Sequence, residues 1–90
     1  MKALPKIGTI GEERFVVGRQ HIIEFAGDGM PEILCTPALV ALLERAARMA
    51  LLPHLEPGEQ SVGVSIDIEH TAPTPPGAEV VCTARVIHVD

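Results

Sequence analysis

Aromatic residues and positive charge are both scarce in this 90-residue chain. It contains no Trp or Tyr, its two aromatic residues are Phe15 and Phe25, and its formal net charge is −5. Proteins that bind single-stranded nucleic acid stack bases on aromatic side chains, and phosphate contacts require a basic surface. The composition therefore excludes nucleic acid as a partner.

Long apolar runs and clustered cysteines are also absent. No segment approaches the roughly 20 apolar residues of a membrane-spanning helix, and residues 1–13 contain no apolar stretch of signal-peptide length. Cys35 and Cys82 lie far apart and match no metal-ligand spacing. We therefore expect a cytoplasmic protein with reduced thiols, no metal, no cofactor and no membrane association.

The residues that are plentiful indicate one small domain covering residues 1–90. Hydrophobic residues make up 47% of the chain, which is enough for a core built mainly from Ala, Val, Ile and Leu. A chain of this length supports a single domain only.

One long amphipathic helix is predicted over residues 36–53. Thr36 is suited to the N-cap and Pro37 to the first helical position, where a missing N–H costs nothing. Pro53 then ends the run. Apolar residues recur at three- and four-residue steps along it: Leu39, Val40, Leu43, Ala46, Ala47, Ala50 and Leu51.

Short β-prone segments flank this helix. We predict strands at 15–17 and 21–25 before it, and at 61–71 and 79–89 after it, with residues 1–13 as an entry segment. Residues 56–59 (EPGE) suit a type II turn. Alternation in the third strand predicts a core-facing row: Val62, Val64, Ile66, Ile68 and His70. The pattern predicts an α+β domain with the helix packed on an antiparallel sheet.

The predicted sheet is small for the helix that it must cover. The sequence stops at Asp90 directly after a strand, which would leave an open sheet edge. We expect the natural domain to continue past Asp90, or a partner to complete it.

Three polar residues are candidates for a catalytic site: Thr36, Glu44 and His70. The first two lie about 80° apart around a helix and about 12 Å apart along it, and His70 ends the apolar row of a strand. A carboxylate and an imidazole are suited to hydrolysis of an acyl bond. Apolar neighbours on the helix predict a buried environment for Glu44. The sequence is compatible with a site formed within one subunit and with a site formed across two.

Each residue also has a simpler interpretation. Thr36 fits a helix N-cap, Glu44 has Arg48 at the spacing of a surface ion pair, and histidines at strand ends are more often structural than catalytic. Taken singly, none of the three identifies a site.

Together, however, the segments resemble a known family. The sequence has a threonine at the helix start, a glutamate eight residues later, an LEPG-E turn, an S-x-G strand start and a strand end reading His-Thr-Ala-x-Thr-Pro-x-G. These motifs lie at Thr36, Glu44, 55–59, 61–63 and 70–77. In this order they resemble the hotdog-fold acyl-CoA thioesterases, specifically the fluoroacetyl-CoA thioesterase-like group, over most of residues 11–90.

The resemblance implies a hotdog fold, a sheet wrapped around one long helix, with its last strands missing here. It also implies a homodimer or higher assembly, with the site at the subunit interface. By this likeness Thr36, Glu44 and His70 are catalytic, Gly63 lines the acyl pocket, and Met30 replaces an aromatic residue that gates the pocket in fluoroacetyl-CoA-specific members.

The resulting functional hypothesis is hydrolysis of a short-chain acyl-CoA thioester to the free acid and CoA. Glu44 acts in it as nucleophile or base, assisted by His70 and Thr36. The alternative is a non-catalytic acyl-CoA-binding or assembly domain of the same fold.

Overall fold

The computed structural model describes residues 1–22 and 32–90. Their regular elements are strand β1 (Ile10–Val16), helix α1 (Thr36–Leu51) and strand β2 (Glu79–Arg85). Two 3₁₀ turns accompany them, Arg19–His21 after β1 and Leu52–His54 directly after α1. Among the described residues, no helix is long and apolar enough to cross a membrane.

The two strands pair antiparallel, in a register that runs from Ile10 opposite Arg85 to Val16 opposite Glu79. Side chains alternate between the faces of this ladder. The inner face carries three cross-strand pairs: Gly11 with Ala84, Glu13 with Cys82, and Phe15 with Val80.

Helix α1 packs on the inner face through Leu42, Ala46 and Ala50, which are all buried. These residues follow one i, i+4, i+8 row of the helix. Gly11 makes the close approach possible, since a Cβ atom at this position would collide with the Ala46 carbonyl oxygen and the Ala50 nitrogen. The prediction of an amphipathic helix is confirmed, but the apolar residues divide into two rows. The row with Ala46 and Ala50 is buried against the sheet, and Leu39 and Leu43 pack partly buried against the same core.

The first strand begins earlier than predicted. The sequence assigned residues 1–13 to an entry segment, whereas β1 starts at Ile10. Gly11 and the charged residues around it have low strand propensity, so the sequence did not predict a strand there. The strand forms because β2 provides a hydrogen-bonding partner along its whole length. The predicted end of β2 at Val89 is also wrong. The ladder ends at Arg85, although Val86 still donates to the Thr9 carbonyl at 2.9 Å.

The predicted second strand, residues 21–25, is not confirmed. His21 belongs to a 3₁₀ turn, and Ile22 forms only an isolated bridge with Leu34. The rest of this prediction, together with Met30, lies outside the described residues.

The predicted strand at residues 61–71 is wrong. All of these residues are described, and none of them lies in a regular strand. Three of the five side chains expected to face the core are open to solvent, since Val62 is 80% exposed, Val64 93% and Ile66 58%, whereas Ile68 and His70 are half-buried. A strand requires a neighbouring strand for its backbone hydrogen bonds. The described residues provide no such neighbour here, so the alternating pattern remains uncovered.

The predicted turn after the helix is confirmed. Glu59 donates its backbone N–H to the Glu56 carbonyl at 3.0 Å, and Gly58 has a φ of 88°. A type II turn requires a positive φ at its third residue, and glycine adopts this without strain. The turn directs residues 61–71 back along α1.

Candidate active site

Thr36 and His70 are in direct contact at the N-terminus of α1. Thr36 Oγ1 lies 2.9 Å from His70 Nδ1, and the tautomer of the ring determines which group donates. Thr36 is the first helical residue, and Cys35 occupies the N-cap without a side-chain hydrogen bond. The prediction of Thr36 as N-cap is therefore wrong. Its hydroxyl is bonded to the imidazole instead.

Backbone hydrogen bonds hold this end of the helix beside the segment that carries His70. Leu34 donates its N–H to the Thr74 carbonyl at 2.8 Å, and Cys35 donates to the His21 carbonyl at 2.8 Å. The buried side chain of Leu34 anchors the same region. Contacts distant in sequence thus place the imidazole at the helix start.

Glu44 lies two helical turns further on. Its Oε1 accepts a long hydrogen bond of 3.4 Å from the Gly63 backbone N–H. The side chain is exposed, which contradicts the predicted buried environment, because the row of α1 that faces the sheet lies to one side of it. Within the described part of the chain, Glu44 forms no ion pair with Arg48, and Arg45 pairs with Glu13 instead at 3.3 Å.

An apolar cleft of about 450 Å³ opens beside Glu44, between α1 and residues 63–66. Its helix side is the second apolar row of α1, formed by Val40, Leu43 and Ala47. Its lining residues are Val40, Leu43, Glu44, Ala47, Gly63, Val64, Ser65 and Ile66. A cleft of this size and composition is suited to a small organic ligand.

The two polar pairs lie along one side of the helix. Thr36 and Glu44 are about 12 Å apart along the axis, and residues 63–70 run antiparallel to α1, so that Gly63 meets Glu44 and His70 meets Thr36. The structure therefore pairs Thr36 with His70 and Glu44 with Gly63 within one chain, and among the described residues it shows no direct contact between the two pairs. Val40, which sequence reasoning named only as an apolar residue of the helix near Glu44, lies midway between the pairs and lines the cleft. Its i+4 spacing from Thr36 was the available signal.

Neither cysteine enters this arrangement. Cys35 and Cys82 are both free thiols. Burial, and secondarily the charge of Glu13, raise the pKa of the Cys82 thiol, so that it stays protonated at neutral pH. In the residues that the structure describes, no three His, Cys, Asp or Glu side chains gather as potential metal ligands.

Solved structures that this chain resembles include those of the fluoroacetyl-CoA thioesterase FlK. One matches with a TM-score of 0.84 and 35% identity, covering 94% of this chain and 67% of that chain. An FlK variant in complex with fluoroacetate and CoA matches with a TM-score of 0.83 and 35% identity, covering 94% and 73%. The fold is thus the α+β hotdog fold of acyl-CoA thioesterases, as the sequence predicted.

Sequence comparison identifies the family itself. The family described as FlK, fluoroacetyl-CoA-specific thioesterase, matches residues 17–90. The fluoroacetyl-CoA thioesterase of Streptantibioticus cattleyicolor is 47% identical over 60 residues, which are 67% of this chain and 43% of that protein. The chain belongs to the fluoroacetyl-CoA-specific thioesterase family, and its aligned residues span less than half the length of this curated relative.

Proposed function

We propose that this protein hydrolyses a short-chain acyl-CoA thioester to the free acid and CoA. The observation that carries the proposal is the hydrogen-bonded pair of Thr36 and His70 at the start of α1, with the carboxylate of Glu44 on the same side of the helix. Family membership supports the same reaction class.

Glu44 attacks the thioester carbonyl as nucleophile or deprotonates the attacking water as general base. In the nucleophilic route the C–S bond breaks as a mixed anhydride forms on Glu44, and water then hydrolyses this anhydride to release the free acid and restore the carboxylate. In the general-base route water adds to the carbonyl directly and the C–S bond breaks in the same acyl transfer. In both, CoA leaves as a thiolate and His70 provides the proton that yields the thiol. Thr36 orients the imidazole through the 2.9 Å contact.

The test is release of free CoA, detected with a thiol reagent, from acetyl-, propionyl- and butyryl-CoA. We expect Glu44→Ala and His70→Ala each to lower turnover by about two orders of magnitude or more, as for removal of an acid–base group. Glu12→Ala is the matched control, because it removes a carboxylate from the outer face of β1. Unchanged turnover in both site variants would contradict the proposal. Acyl-CoA binding without thiol release, in a folded sample, would indicate the non-catalytic binding domain instead.

The acyl preference that we propose is a general one for short chains. Met30 stands where the resemblance places an aromatic gate, so a special preference for the fluorinated substrate is not expected. Gly63 lines the cleft beside Glu44, which supports its proposed contact with the acyl group. The ratio of kcat/KM for fluoroacetyl-CoA and acetyl-CoA measures this preference. A ratio of several orders of magnitude would contradict it.

We further propose that the protein acts as a cytoplasmic homodimer. The exposed apolar row of Val62, Val64 and Ile66, on a segment without a strand partner among the described residues, supports association with a second copy. Val64→Glu should then lower the mass measured by light scattering after gel filtration. The free thiols of Cys35 and Cys82 support a location in a reducing compartment such as the cytoplasm. Cell fractionation tests whether the protein is found there.

A further inference from the structure

We propose that Val40 contacts the acyl group next to the reacting carbonyl and that its size determines which acyl-CoA is accepted. The inference rests on the proposed thioesterase function and adds to it the residue that selects the substrate. It arises from the position of Val40 between the two polar pairs of the site.

Helix geometry places Val40 at the centre of this side of α1. It follows Thr36 by one turn and precedes Glu44 by one turn, so that it lies about 6 Å along the axis from each and about 40° around the helix from both. In the proposed mechanism Glu44 and His70 act on the same thioester, and a carbonyl placed between them would lie over the Val40 side chain.

The surroundings of Val40 are suited to an acyl chain. Val40 is half-buried and lines the apolar cleft of about 450 Å³, opposite residues 63–66. Its helical neighbours in the cleft, Leu43 and Ala47, are apolar as well. β-Branching leaves Val40 one strongly preferred rotamer in a helix, so that it presents a rigid surface to the substrate.

A rigid apolar contact discriminates by volume. One methylene more or less in a hydrophobic pocket changes kcat/KM by roughly 10- to 200-fold. Val40→Ala removes two methyl groups and leaves more room in the cleft for the acyl chain, whereas Val40→Leu places a longer side chain in the cleft and leaves less. The two variants should therefore shift the preferred acyl length in opposite directions.

The experiment measures kcat/KM for acetyl-, butyryl- and hexanoyl-CoA with the full chain. We expect Val40→Ala to raise the ratio of hexanoyl to acetyl turnover by about tenfold or more, and Val40→Leu to lower it by a similar factor. Met49→Leu is the control, because Met49 is exposed and lies with Arg45 and Arg48 away from the cleft. It should leave the ratio unchanged.

Binding of non-hydrolysable thioether analogues with the same acyl lengths provides a second readout. The ratio of Kd values should shift in the same directions in the two Val40 variants, whether or not turnover occurs. Absence of turnover in the unmodified chain would thus overturn the proposed function alone. Ratios that stay unchanged in both Val40 variants, in binding and in any turnover, would overturn the role of Val40.

Discussion

The contact between Gly63 and Glu44 permits a sharp test of how the carboxylate is held. A Cβ atom added at Gly63 would lie 3.2 Å from Glu44 Oε1 and 3.5 Å from Cδ. The first distance is tighter than ordinary contacts, so the carboxylate must move by a few tenths of an ångström. The Gly63 N–H donates to this oxygen at 3.4 Å already, and any lengthening abolishes the bond.

The expected effect of Gly63→Ala on catalysis follows from that displacement. Misplacement of a catalytic group by about 1 Å costs roughly 100-fold in rate. A shift of a few tenths of an ångström should therefore lower kcat by about tenfold, measured by thiol release. Full kcat in Gly63→Ala would refute the idea that the Gly63 contact positions Glu44.

Stability should change in the opposite direction. Gly63 is not among the glycines with positive φ, which include Gly58 at 88°, so alanine fits its backbone. Such a replacement raises the free energy of unfolding by about 0.4–1 kcal/mol, because alanine lowers the conformational entropy of the unfolded chain. Gly58→Ala is the matched control. It should lower stability in urea titrations, because its φ is positive, and leave kcat of the folded protein unchanged.

Three further predictions concern packing, the hydroxyl and pH. Gly11→Ala should lower the free energy of unfolding in urea by about 1–3 kcal/mol, because the added methyl group collides with the backbone of α1; unchanged stability would contradict the close approach. Thr36→Ser should keep most of the thioesterase turnover, since it preserves the hydroxyl that contacts His70, whereas Thr36→Val should lose about tenfold or more; equal rates would argue against a role for the hydroxyl. The N-terminal amine, and next the Glu56 backbone N–H, lower the pKa of Glu59 in the folded protein. The Glu59 carboxylate therefore stabilises the fold fully at pH values above its ordinary pKa. This contribution is lost as the pH falls through the lowered pKa of the folded state. Glu59→Gln should therefore be less stable than the parent at neutral pH and equally stable in strongly acidic buffer, and a difference that persists in acid would contradict this linkage.

Local rules predicted α1 well. Its periodicity, the proline near its start and Pro53 near its end are properties of neighbouring residues, and the helix forms over Thr36–Leu51 with a 3₁₀ extension. The turn after it was equally predictable, since Gly58 provides the positive φ that the turn requires.

Strand bounds were less predictable because they depend on partners. β1 begins at Ile10 only because β2 pairs with it. Residues 61–71 alternate clearly between apolar and polar side chains, yet Val64 is 93% exposed. An alternating pattern indicates which side chains share a face, but burial of that face depends on a neighbouring strand or helix.

The sequence alone determined the helix, the family and the identity of the three candidate catalytic residues, because motif order and helical spacing are local properties. Only the tertiary structure decided what those residues touch. It bonded the Thr36 hydroxyl to His70 rather than to the helix backbone, and it placed Glu44 on an exposed cleft against Gly63. These contacts join residues far apart in the chain, and their distances follow from how residues 61–74 pack along α1, which no local rule specifies.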